Sequence, residues 1–205
     1  YVDNLLGRIR ARDDRVRAWA HIDAPRVRAL ADRCDEARRA KQRLGPLHSL
    51  PIGVKDVIDT QDVPTEYGSP IFAGHRPARD ADIVTRLRRA GAFVFGKTTT
   101  TEFAFLQPAE TRNPWNPMHS PGGSSSGSAA AIAAGFVHAA LGTQTNGSVI
   151  RPAAFCGVYG FKPSFGLVPR TGILRQSRAL DTVGVFARSL DDIALIMESI
   201  AGCDE

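Results

Sequence analysis

The residues of this sequence best equipped for chemistry are one lysine and two groups of serines. Lys55 stands in Pro51–Ile52–Gly53–Val54–Lys55–Asp56, between an apolar run ending at Val54 and a second one, Val57 and Ile58. Flanked in this way, its stem is expected to enter the core. A buried ammonium is costly unless it is paired or gives up its proton. Two readings follow. Either the lysine is held in an ion pair with Asp56 or another carboxylate, or burial makes its amine neutral among hydroxyl groups. In the second case it can act as general base for a serine, which is too weak a nucleophile on its own.

The serines lie downstream. Gly122–Gly123–Ser124–Ser125–Ser126–Gly127–Ser128 is a polar loop that runs directly into an alanine-rich helical stretch, Ala129–Ala134. Thr145–Asn146–Gly147–Ser148 ends a second polar stretch, which begins at Gly142 after the apolar run Val137–Leu141. Glycine and asparagine tolerate the backbone angles of a tight turn after a strand. Consecutive N–H groups in such a turn, leading into a helix that starts near Val149, can converge on one anion. A serine hydroxyl beside converging donors is the minimum equipment for acyl transfer: nucleophile and oxyanion hole in one short segment. The same pattern also fits an N-capping serine of a structural helix.

Other patterns lose their meaning in context. Gly91–Ala92–Phe93–Val94–Phe95–Gly96–Lys97–Thr98 matches the GxxxxGK[ST] phosphate loop by letter. Its intervening Ala, Phe, Val and Phe favour a buried strand, and Thr98–Thr101 stand where a helix should begin. Gly123–Gly127 matches GxSxG, yet a nucleophile elbow needs a strand directly before it, and here a Pro/Asn loop precedes it. The five histidines fall at no metal-ligand spacing, and only His119 adjoins a serine-rich segment, as a weak candidate for a Ser-His-Asp triad. No metal or cofactor site is expected. Cys34, Cys156 and Cys203 are far apart and odd in number, so neither a disulfide framework nor a CxxC site is implied, and a reducing, cytoplasmic setting fits best.

The elements that must position these residues belong to an ordinary globular chain: 205 residues, 43% hydrophobic and 23% charged, proportions that exclude a disordered tail or a fibrous repeat. The net charge of +5 is confined to residues 1–50, which hold 12 basic and 7 acidic side chains, while the remainder holds 14 of each. That distribution argues against a nucleic-acid groove through the core and for a solvated helical face. The most apolar stretch, Ala129 to Leu141, is interrupted by Gly135 and His138 and reads as core, not as a membrane span. Asp3 charges the N-terminus and no apolar signal region follows, and with no initiator Met, Tyr1 is not expected to be the true start.

Residues 2–43 read as two amphipathic helices split near Asp23–Pro25, with Leu5, Ile9, Val16, Trp19 and then Val27, Leu30, Ala31 and Cys34 at helical spacing. After the break at Gly45–Pro46, short β-like runs extend from Leu50 to Val63. Asp80–Ala90 returns to helical period and Ala92–Phe95 suits a buried strand, so a β-α-β alternation begins to show. Phe105 to Gly123 is an ordered loop, and Ser189 caps a last helix, Leu190–Ala201.

Pro51–Asp56, Gly96–Lys97–Thr98, Glu102–Phe103–Ala104, Asn113–Pro114–Trp115, Gly122–Ser125, Gly142–Ser148, Ala153–Gly157, Gly160–Ser164 and Asp181–Gly184 occur in this order in enzymes of the amidase signature family, which the chain resembles from about Arg17 to Cys203. The resemblance implies an α/β fold, a mixed central sheet flanked by helices, with residues 1–45 as a helical lead-in and 46–205 carrying the core motifs. It also implies an incomplete fold, because members are much longer; a C-terminal half is expected to complete the sheet and the pocket, and 205 residues alone are expected to be poorly soluble or inactive. By position, Lys55 stands for the base, Ser124 for the bridging serine on a cis peptide, and Ser148 for the nucleophile. The N–H groups of Thr145, Asn146, Gly147 and Ser148 stand for the oxyanion hole, with Ser125, Gly123, Gln144 and Arg151 in support. Four positions depart from the common pattern: Ser126 replaces a glycine, Gln144 an aspartate and Asn146 a glycine, and Ile150 occupies the usual arginine position with Arg151 one residue later. The implied activity is hydrolysis of a small carboxamide through a serine acyl-enzyme, without cofactor, membrane or nucleic acid, and compatible with a homodimer. Two alternatives stand beside it: the glutaminase subunit of a tRNA-dependent amidotransferase, and a silent fragment with only a structural or binding role.

Overall fold

Six strands form one mixed sheet in the order β1-β3-β2-β4-β6-β5, in a computed structural model that describes residues 1–203. At its centre β2 (Pro51–Lys55) runs parallel to both β3 (Phe93–Thr98) and β4 (Ala139–Gln144). Antiparallel neighbours close the two sides: β1 (Trp19–His21) beside β3, and β6 (Thr182–Ala187) followed by β5 (Tyr159–Phe161) beside β4.

Alternation along the strands divides the core in two. Phe93, Phe95, Ala140 and Phe186 point to one face, where they meet α1 (Val2–Val16), α2 (Ala24–Arg39), α4 (Ser126–Ala133) and α5 (Ile150–Cys156). Val94, Leu141, Val183 and Val185 point to the other, against α3 (Asp82–Arg89) and α6 (Leu190–Ile200). Residues two apart in a strand share a face, and helices on both faces explain why every residue of β2, β3 and β6 is buried. Helix starts follow local chemistry. Asp23 accepts the Arg26 N–H at 3.0 Å and Pro25 sits in the first turn of α2, while Ser189 accepts the Asp192 N–H at 3.1 Å, as expected for α6.

The lead-in is not helical throughout. Between α1 and α2 the chain lays β1 along β3, pairing Trp19 with Thr98 and His21 with Lys97. Three residues are too few to print a period-two signal, so Trp19 reads as helical in the sequence and is a strand residue in the fold. Its ring packs 5.4 Å from Phe95, and Gly96 makes the approach possible, since a Cβ there would lie 2.6 Å from the His21 carbonyl oxygen. The β-like runs reaching Val63 reduce to β2. After Lys55 the N–H groups of Val57 and Ile58 both turn back onto its carbonyl, which ends the strand, and Ile58 forms only an isolated bridge with Ile173. The phosphate-loop pattern is β3 itself, buried through Thr98. Strand β4 begins at Ala139, two residues later than the apolar run, and continues into the polar stretch as far as Gln144.

Gly127 is the residue on which the placement of α4 depends. Its N–H donates to Thr99 O at 2.9 Å, and a Cβ there would lie 2.3 Å from both Ala18 O and Thr99 N, all of it backbone that cannot swing away. Gly127→Ala is therefore expected to destabilise the fold by about 3 kcal/mol or more, read as a lowered urea midpoint.

Candidate active site

The parallel strands β2 and β4 end on the same edge of the sheet, which brings Lys55 and Thr143 side by side. Lys55 Nζ donates to Ser124 Oγ at 2.7 Å and to Thr143 Oγ1 at 2.8 Å, and its side chain is wholly buried. No carboxylate lies within ion-pair distance of it among the described residues. Asp56 instead faces Lys97, whose ammonium sits 3.4 Å from Asp56 Oδ1 and donates to Ile58 O at 2.7 Å. Of the two readings of Lys55, the ion pair with Asp56 is thus excluded. Burial lowers Lys55 from its ordinary value to about 7, and the negative charge of Asp181 opposes the shift. Lys97 is lowered by the same cause to about 8, with Asp56 opposing.

The serine run is tied to the strand ends. The Gly123–Ser124 peptide is cis, and Ser124 O accepts the Thr101 N–H at 3.2 Å. Ser125 Oγ donates to Thr143 O at 3.1 Å and accepts the Thr143 N–H at 3.3 Å. Ser128 Oγ donates to Leu141 O at 2.8 Å and lies 2.7 Å from Thr98 Oγ1. Ser126, the departure from glycine, opens α4 and lines a depression of about 230 Å³ beside Gly123, where its side chain occupies space.

Ser148 lies on the turn between β4 and α5, 8% exposed. It is joined to the serine run through the backbone, Ser125 N–H to Ser148 O at 3.3 Å, and its hydroxyl donates to no acceptor among the described residues. The backbone N–H groups of Thr145, Asn146, Gly147 and Ser148 likewise have no protein acceptor among them. Helix α5 is capped by another residue: Gln144 Oε1 accepts the Val149 and Ile150 N–H groups at 2.8 and 3.0 Å. The capping reading of Ser148 therefore falls, and the glutamine keeps the acceptor of a carboxylate without its charge. Arg151 Nε donates to Gly123 O at 3.1 Å, so the displaced arginine braces the cis peptide.

Ser148, Asn146 and Arg151 open onto a cleft of about 180 Å³ walled by Phe105 and Leu106. Three participants are not singled out as site residues by the sequence, although Thr143 and Asp181 fall within motifs of the resemblance: Thr143, Gln176 and Asp181. Thr143 is one of several threonines near strand ends, and Gln176 and Asp181 reach the site only through the fold. Thr145 Oγ1 lies 2.6 Å from Asp181 Oδ1 and 2.8 Å from Gln176 Oε1. His119 is not among them; its backbone bonds to Asn116 and Asn113 inside an exposed loop. Burial pushes the Cys156 thiol up to about 12, which leaves it inert. Among the described residues no His, Cys, Asp or Glu group is placed to hold a metal, and no helix is long and apolar enough to cross a membrane.

A family model described as Amidase matches residues 1–205. Among curated relatives, a glutamyl-tRNA(Gln) amidotransferase subunit from Chloroflexus aggregans is 47% identical over 205 residues, covering 97% of this chain and 42% of the relative. Its counterpart from Anaeromyxobacter dehalogenans is 44% identical, covering 99% and 42%. Among solved structures, native peptide amidase from Stenotrophomonas maltophilia superposes with a TM-score of 0.93 at 41% identity, over all of this chain and 44% of that one. The corresponding glutamyl-tRNA(Gln) amidotransferase subunit from Thermotoga maritima gives 0.85 at 34% identity, over 100% and 44%. The chain thus spans a little under half the length of the relatives it matches.

Proposed function

Because the chain belongs to the amidase family, we propose that it carries the acyl-transfer centre of an amide hydrolase acting on small carboxamides. The observation that carries this reading is a buried lysine whose side-chain partners are hydroxyls rather than carboxylates, one of them the serine on the cis peptide. A neutral amine at about 7 is a base at working pH. In the proposed mechanism, Ser148 Oγ attacks the amide carbon while its proton passes to Ser124 Oγ and the Ser124 proton passes to Lys55 Nζ. The free N–H groups of Thr145 to Ser148 receive the oxyanion. Lys55 returns the proton through Ser124 to the leaving nitrogen as the C–N bond breaks, and water then cleaves the ester by the same relay, regenerating Ser148 and releasing the acid. In this reading the rest of the pocket comes from further chain such as the relatives have beyond the matched length, and exposed Tyr159 and Phe161 on the outermost strand β5 suit further sheet.

A second reading is favoured by the relatives' names: a glutaminase subunit that passes ammonia to a partner acting on charged tRNA. The uncharged Gln144 and displaced Arg151 distinguish this chain from the common pattern that the resemblance implies. Turnover of a carboxamide panel by the intact protein, with glutamine assayed alone and with partner extract and tRNA, separates the two. Hydrolysis of simple carboxamides without partner is expected; glutamine turnover that requires both partner and tRNA would replace the first reading by the second.

A further inference from the structure

The segment leading into β6 is bonded to the turn that carries Ser148. Both oxygens of the Asp181 carboxylate are engaged: Oδ1 accepts the Thr145 hydroxyl at 2.6 Å, and Oδ2 accepts the N–H groups of Gln176 and Ser177 at 2.7 and 2.8 Å. Four contacts therefore hold one short stretch, since the Asp181 carbonyl also accepts from Arg170 Nη1 at 3.1 Å. Thr145 is the first residue after β4, and its hydroxyl has a single hydrogen with two acceptors in reach. That hydrogen goes to the shorter, charge-assisted partner, Asp181. The Gln176 side chain extends the network by donating Nε2 to Phe103 O at 2.9 Å, beside the apolar wall of the cleft.

We propose that Asp181 is a positioning residue for the acyl-transfer centre, pinning the Thr145–Ser148 turn through the Thr145 hydroxyl and setting a fixed negative charge towards Lys55. The inference rests on the amide-hydrolase reading of Ser148 and Lys55. Donors that are to meet an oxyanion must be held before the reaction, because reorganisation at that moment costs rate. A turn built from Asn146 and Gly147 has little stiffness of its own; the Thr145 side chain anchors its leading end, and the Ser125 N–H to Ser148 O bond its trailing end. The charge acts separately. Asp181 lines one small cavity together with Thr143, whose hydroxyl is bonded to Lys55 Nζ, while Asp56 and Lys97 neutralise one another. The Asp181 carboxylate is the one whose field bears on the buried amine, favouring its protonated form.

The two roles are separable by measuring, on the intact protein and across pH, the rate at which a fluorophosphonate probe acylates Ser148. Asp181→Asn is expected to lower the limiting rate about tenfold or more and to move the midpoint of the pH profile downwards. Thr145→Val is expected to lower the rate similarly with the midpoint unmoved, and Asp181→Glu to restore the midpoint. Asp181→Asn with a rate within about twofold of the parent and an unmoved midpoint overturns the proposal. Should that variant fail to fold, Thr145→Val alone decides, an unchanged rate overturning the proposal and a tenfold loss supporting it. Labelling that persists in Ser148→Ala would sink the underlying reading instead, whatever Asp181 does.

Discussion

Ser148→Ala abolishes acylation by a fluorophosphonate probe and lowers amide turnover of the intact protein by about 10³-fold or more. The size of the effect follows from what the serine does. Its hydroxyl lies on the same turn as four backbone N–H groups that have no protein acceptor among the described residues, so removing it leaves the proposed oxyanion donors in place and takes away only the proposed nucleophile. Residual turnover should then reflect binding and the donors alone. The substitution is sterically mild, and the Gln144 side chain caps α5 independently of it, so the melting temperature should barely change. Peptide mapping is the check. Modification confined to the peptide containing Ser148, and lost in Lys55→Ala, fits the relay; modification at Ser124 or Ser125 would reassign the nucleophile.

Lys55→Met makes the protein inactive and more stable. The parent amine is fully buried between Ser124 and Thr143, and burial brings it from 10.5 to about 7. The folded state therefore binds fewer protons than the unfolded chain between about pH 7 and the ordinary lysine value, and parent stability rises with pH across that window. Below it both states are protonated and the full cost of a buried charge is present. Methionine carries no such cost, so its advantage should be largest at pH 6, on the order of 1 to 3 kcal/mol, and should shrink as pH climbs towards 10. Thermal melts of both proteins at pH 6 and pH 9.5 test this. A methionine variant less stable than the parent at pH 6 would mean that the ammonium is well solvated or paired, contrary to the geometry. The same lowered value predicts that parent activity rises with pH through about 7, where Lys55 becomes a base, and then levels off.

Much of the frame is legible in the chain itself. The helical period of residues 82–89 and 190–200, the Ser189 cap and the apolar run in β3 appear where the pattern puts them. Three strands are not picked out by the sequence, β5 because Tyr159–Phe161 is only three residues long and the other two as follows. Strand β1 is three residues long and stands between two helices, too short for a period to register. Strand β6 is buried on both faces, so its Val-Gly-Val-Phe-Ala shows no polar alternation, and its place beside β4 distinguishes it from a buried helical segment. The departures around the turn also change meaning in space. Gln144 reads as a lost charge and is a helix cap, and Arg151 reads as displaced and is a brace on Gly123.

The sequence by itself determined which groups are present and that Lys55 is flanked by apolar residues, and the order of its motifs pointed to the family that the comparisons show. It left open whether Lys55 faces Asp56 and whether Ser148 caps a helix, because residues adjacent in a chain compete for partners that only folding supplies. Tertiary structure decided both. Parallel pairing of β2 with β4 sets Lys55 beside Thr143, and β3 delivers Lys97 to Asp56, which frees Lys55 for hydroxyls. Asp181, 126 residues from Lys55 in sequence, comes to bear on it only because β6 lies antiparallel to β4, a long-range pairing that no local pattern encodes.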